Sequence, residues 1–263
     1  MHVRNKVNMY AYLDNVRWPL LKAMDEFLAF GRALEGELIF TGNWVYSRTD
    51  EEAHNNTGMN PVREPEAYLE YLKNEHRRKT KELGDIGTID EAYTLKLPHA
   101  FPSPPDVPYD YYDQVRYRGG TRMMHSEQLV YASYVSRGAV ILDLAGWRRL
   151  TELFVAWRVP RYIWFDAYLY ELEGRIHKHR AWGGWLGWFA HEIRPADMPD
   201  GTLLFPIGPG TLVASQETQL DSADPAQVQR AQAVEIALVD LGILPTMAEL
   251  IKASALPEAG PNE

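Results

Sequence analysis

The 263-residue sequence contains no cysteine, so disulfide staples, thiolate metal sites and cysteine nucleophiles are all excluded. No window approaches the roughly 18 consecutive apolar residues of a membrane-spanning helix, and no membrane insertion is expected. The opening stretch, MHVRNKVNMYAYLDNVRWPLL, returns to polar residues before a signal-peptide core can form. It predicts synthesis in the cytoplasm without a signal peptide, and the triplet Asn55-Asn56-Thr57 then matches a glycosylation acceptor by chance. Phosphate-binding loops are missing as well. Gly208-Pro209-Gly210 has neither the G-x-G-x-x-G continuation nor a following Lys-Ser/Thr, and no G-x-S-x-G elbow supports a serine nucleophile. Asp85, Asp90, Asp143 and Asp240 are too scattered to nominate an acid–base pair. Neither internal repeats nor low-complexity blocks occur.

The net charge of −9 argues against a general nucleic-acid binder, so nucleic-acid contact is open but unsupported. The charge is uneven. Gly146 to Arg194 carries eight Arg/Lys against five Asp/Glu, whereas from Pro195 onward two basic residues face ten acidic ones. Such ends can complement one another between copies or form separate solvated faces.

With 46% hydrophobic and 24% charged residues the composition is that of a globular chain. Helical spacing of Leu20, Leu21, Met24, Phe27, Leu28 and Leu34 predicts a helix from about Asp14 to Leu34, with Pro19 in its opening turn. GELIFTGNWVYS reads as a strand or hairpin around Gly42-Asn43. A second helix is expected over Arg63–Glu82, closed by Gly84. Eleven residues from Arg63 to Leu83 are charged, so this helix is solvated or projects from the body. Five prolines between Pro98 and Tyr112 rule out helix and central strand, leaving an extended arm or a strap over the core. A helix is predicted over Arg122–Arg137, then AVILDLA as a buried strand, then a short helix over Trp147–Trp157. The stretch RYIWFDAYLYELEGRIHKHRAWGGWLGWF is ambiguous, and its aromatics with a turn near Glu173-Gly174 favour a long hairpin. TLLF and TLVAS read as short strands around a Pro/Gly loop. A helix capped by Asp224 with Pro225 at its first position runs to Leu241 and stops at Gly242, followed by a short helix around Met247–Ala253.

These elements give an α+β chain of amphipathic helices packed on a mainly antiparallel sheet or hairpins, with an extended Pro/aromatic arm. The expected organisation is an N-terminal helical/β region (1–97), the Pro/Tyr-rich arm (98–113), a Trp-rich α+β core (114–221) and a C-terminal helical segment with a polar tail (222–263).

Two clusters bear on function. His177 and His179, with Asp166 upstream and His191 downstream, would share one face of a strand and could begin a divalent metal site. H-x-H is a common pattern, and exposed polar residues on a hairpin explain it more simply. Six of the eight tryptophans lie between Trp147 and Trp188. Burial at a subunit interface or in the core ranks above ligand stacking for these. The interface candidates are Trp164, Trp182, Trp185 and Trp188, with Phe101, Tyr109, Tyr111 and Tyr112 of the arm. A sequence with no mechanistic motif, a proline–aromatic arm, a highly charged helix and a polar tail points to a non-enzymatic subunit of a large assembly. Its expected partners are copies of itself and other assembly proteins. The specific expectation is a phage virion component, such as a head–tail connector, adaptor or tail protein, and no cofactor is expected. The alternative is a metal-dependent hydrolase using His177, His179, His191 and Asp166.

Overall fold

The computed structural model describes residues 7–13, 18–37, 44–49, 51–52, 57–99, 113–119, 128–133, 143–167, 170 and 174–252. In chain order its elements are β1 (Val7–Tyr12), α1 (Leu20–Leu34), α2 (Pro65–Leu83), β2 (Tyr93–His99), β3 (Asp113–Gly119) and β4 (Gln128–Ser133). These are followed by α3 (Leu144–Trp157), β5 (Tyr162–Ala167), β6 (Leu186–Phe189), β7 (Leu203–Ile207), β8 (Gly210–Ala214), α4 (Pro225–Asp240) and α5 (Met247–Lys252). The chain is α+β with antiparallel strand pairing, as the sequence periodicities predict. It divides into two compact units: one of Met1–Asn15, Met124–Ser126 and Val140–Glu263, the other of Val16–Met123 and Glu127–Ala139.

The first unit is built on strands in the order β1-β5-β6-β8-β7. Tyr162, Ile163 and Trp164 of β5 pair with Phe189, Trp188 and Gly187 of β6, so the arms of the expected hairpin do meet. The chain between them leaves the ladder, however, and residues 176–179 form bends and turns. Helix α3 packs on β7 and sets Trp147 edge-on against Phe165, 5.5 Å between ring centres. Gly183 lets the returning chain pass hard against β5, because a Cβ there would lie 1.6 Å from the Phe165 carbonyl oxygen. Strand β1, from the polar opening stretch of the sequence, pairs with β5 and buries Val7, Met9 and Ala11 on alternate positions.

In the second unit β2, β3 and β4 form an antiparallel ladder. Leu95, Leu97, Val115 and Tyr117 are fully buried on alternate positions of β2 and β3, and Tyr117 stacks on Phe27 of α1. Gly31 brings α1 close to β2, since a Cβ there would meet Leu97 Cδ1 at 2.6 Å.

Two local expectations are corrected. The helix predicted over Arg122–Arg137 is a strand across Gln128–Ser133, where pairing with β3 overrides a weak helical periodicity. The strand predicted over AVILDLA does not extend to its last residues, which open α3 at Leu144 because Asp143 accepts the Gly146 N–H at 2.8 Å and caps a helix there, while residues 139–142 lie outside the described residues. Other boundaries agree: α4 carries the expected Asp224 cap and Pro225, and β7–β8 turn at Gly208-Pro209. At the start of α5, Thr246, the residue before the helix, and Glu249 exchange reciprocal bonds, Glu249 N–H to Thr246 Oγ1 at 3.0 Å and Thr246 N–H to Glu249 Oε2 at 2.7 Å.

Candidate functional site

The tryptophan cluster lies inside the first unit. Trp182, Trp185 and Trp188 are at most 1% exposed, and each indole N–H is bonded to a main-chain carbonyl: Ala231, Gln216 and Ile207 respectively. Both the rings and their polar tips are therefore used within the chain. Trp164, 7% exposed, packs against Tyr10 and carries the Arg175 guanidinium over its ring, 5.5 Å from the ring centre. Phe101, Tyr109, Tyr111 and Tyr112 fall outside the described residues.

The histidines are not gathered. His177 and His179 sit in a turn, so the strand alternation that would have aligned them does not apply, and His179 and His191 are exposed. Asp166 lies opposite Asn8 in the β1–β5 ladder, and its side chain is outside the described residues. Among the described residues no three His, Asp or Glu side chains are grouped to hold a metal ion. His177 instead faces Glu235 of α4, with Nδ1 3.3 Å from Oε1. Glu235 is fully buried and accepts the His177 main-chain N–H at 2.6 Å, the Tyr170 hydroxyl at 2.8 Å and the Ile176 N–H at 3.4 Å. This carboxylate pins the excursion between β5 and β6 to α4. Burial, and then the Glu235 charge, push the Tyr170 hydroxyl well above its ordinary pKa, so it remains a donor. Glu235 stands in the buried stripe of α4 with Ala231, Val234 and Leu238, and an acid at that spacing is the signal that could have found it.

Three of the four scattered aspartates have structural roles. Asp90 accepts the Leu20 N–H at 2.8 Å and caps α1 from across the unit, Asp143 caps α3, and Asp85 accepts the Gly87 N–H at 2.9 Å.

A cleft of about 650 Å³ opens in the second unit. Its floor is the face of β2 and β3 opposite the buried Leu95 and Tyr117, and it presents Thr94, Lys96, Arg116 and Arg118. One wall is α2, with Tyr71, Glu75, His76 and Lys79, and another is the segment carrying Ile86 and Ile89. His76 Nε2 donates to the Gly87 carbonyl at 3.0 Å and joins these two walls. Tyr68 fastens α2 to the strand edge: its hydroxyl accepts the Lys96 N–H at 2.8 Å and donates to the Lys96 carbonyl at 3.2 Å. Burial, followed by Arg116, Lys79 and Arg118, lowers the Lys96 pKa. Glu75 is the cleft's carboxylate, and it is held below the usual range first by Arg78, which lies outside the lining at 3.0 Å. The sequence showed these cations only as ordinary charged residues, because their convergence depends on strand register.

No protein-family model matches the chain, and no curated protein matches it. Among solved structures, a Pseudomonas aeruginosa T6SS protein is similar at 12% identity, covering 96% of this chain and 84% of that chain with a TM-score of 0.41. A likeness at that level transfers neither fold nor function. No described helix is long and apolar enough to cross a membrane.

Proposed function

We propose that the chain is a non-enzymatic subunit of a multi-subunit assembly that binds copies of itself and other assembly proteins. Its specific form is a phage-type virion component, a head–tail connector, adaptor or tail protein arranged in closed symmetry. The observation that supports this reading is α2. Of its nineteen residues only Tyr68 is buried; Leu83 at its end is 73% exposed, and Ile86 just after it is 39% exposed. A helix with so little covered surface, ending in bare apolar side chains, has surface to offer a second chain.

A second copy fits that surface by charge. Glu66 and Glu70 against Lys73 leave the first half of α2 net acidic. Arg77, Arg78, Lys79 and Lys81 against Glu75 and Glu82 leave the second half net basic, with Arg77 and Arg78 also paired within the helix to Glu70, Glu75 and Glu82. Antiparallel pairing of two such helices sets the acidic half of each against the basic half of the other, a self-complementary contact. The same polarity suits the helix dipole, so the isolated helix tolerates it. Sedimentation velocity tests the contact. The wild-type chain is expected to sediment as a complex, and Leu83→Asp with Ile86→Asp to shift it to the monomer. Identical distributions for the two proteins would remove α2 as the contact.

A further inference from the structure

We propose that the cleft of the second unit binds an organic phosphate, a small molecule joining one or more phosphate groups to an aromatic body, as nucleotides do. This goes beyond the assembly reading; Lys79 and Ile86 border both surfaces, and the variants that test the cleft change neither, so the two readings fail separately.

The first observation is unbalanced charge. Lys96 lies directly opposite Arg116 in the β2–β3 ladder, and Thr94 opposite Arg118. Both main-chain groups of Lys96 turn outward to Tyr68, so the Lys96–Arg116 pair is the non-hydrogen-bonded kind, whose side chains are closer together. Like charges directly opposite destabilise a sheet. Lys79 adds a fourth cation from α2, and Glu75 is already engaged by Arg78. A chain of net charge −9 thus concentrates positive charge in one concave place, where low-dielectric walls focus its field on an incoming anion.

The second observation is an orphan donor. Arg116 Nε is cut off from solvent and has no hydrogen-bond partner among the described residues. A buried guanidinium N–H without an acceptor is costly, and a small turn of the Arg116 side chain toward the cleft would let a ligand oxygen satisfy it. Two arginines on alternate positions of one strand offer the forked donors that match phosphate oxygens.

The third observation is the shape and remaining lining. At about 650 Å³ the cleft is far larger than one phosphate needs and falls in the range of small-molecule sites. Tyr46, Tyr71 and Tyr93 line it with Leu72 and Ile89, and the Tyr46 and Tyr71 rings lie 5.0 Å apart. Such a wall accepts a flat aromatic group, while the strand face takes the charge.

Isothermal titration calorimetry on the full chain, with ATP, inorganic tripolyphosphate and a poly-glutamate peptide as probes, tests the proposal. ATP is expected to bind, about tenfold tighter than tripolyphosphate because of ring contacts. Lys96→Gln with Arg116→Gln should weaken ATP at least about tenfold, whereas Lys81→Gln, an exposed cation outside the lining, should leave it unchanged. No ATP binding by the wild-type chain would overturn the proposal. So would equal affinity for ATP and tripolyphosphate, tighter binding of poly-glutamate, or equal losses in the Lys81 and double variants. Should the double variant lose its wild-type circular dichroism, the ranking of the three probes on the wild-type chain decides alone.

Discussion

Replacing Lys96 with methionine keeps an aliphatic stem over the β2–β3 face and removes the charge opposite Arg116. Like-charge cross-strand pairs destabilise by about 0.2–1 kcal/mol, and relief of the burial penalty on the ammonium adds to that. The variant should therefore be more stable than wild type by about 1 kcal/mol near neutral pH, or about 2–4 °C in Tm for a chain of this size. The pH dependence has a definite sign. The folded-state pKa of Lys96 is lowered, first by burial and then by Arg116, Lys79 and Arg118. In wild type, raising the pH through that lowered value neutralises Lys96 in the folded state while the unfolded chain still holds its proton. Wild-type stability rises across that window, and the advantage of Lys96→Met, full below it, shrinks toward about pH 10. Salt should shrink the repulsive part of the gain as well. Urea denaturation at neutral and alkaline pH measures both effects. A variant less stable than wild type at neutral pH, or a gain unchanged by pH and salt, would refute the account of the cleft as a place of uncompensated charge. A site whose cations destabilise the fold is also a site where stability and binding are traded against each other.

Two other predictions concern the first unit. Glu235→Ala leaves the Tyr170 hydroxyl and the Ile176 and His177 N–H groups without their acceptor, and should destabilise by about 3–5 kcal/mol. Urea unfolding followed by tryptophan fluorescence reads this directly, and a loss below about 1 kcal/mol would show that the carboxylate does not pin the excursion. Gly183→Ala drives a methyl into the Phe165 carbonyl and should lower Tm by several degrees or abolish soluble folding, whereas an unchanged Tm would mean that the close approach is not required.

Helices with strong punctuation were legible in the sequence. Asp224, Pro225 and Gly242 bounded α4 because each signal is local. Strand β4 was misread because its strand state comes from pairing with β3, which a local periodicity does not carry. The sequence left the tryptophans between burial at a subunit interface and burial in the core, and only the fold shows that Ala231, Gln216 and Ile207 take the N–H groups of Trp182, Trp185 and Trp188 within the chain. The histidine pair lost its premise when the chain around it turned instead of extending. Glu235 and the cleft were missed for one reason. Each gathers residues distant in sequence, an acid on α4 with a turn before β6, and lysines and arginines brought level by the β2–β3 register.

The mass of the purified full chain by light scattering, over a wide concentration range, tests the assembly reading most directly. The account predicts a closed oligomer that persists on dilution and is lost in the Leu83→Asp, Ile86→Asp variant. A clean 30.1 kDa monomer at every concentration would contradict it.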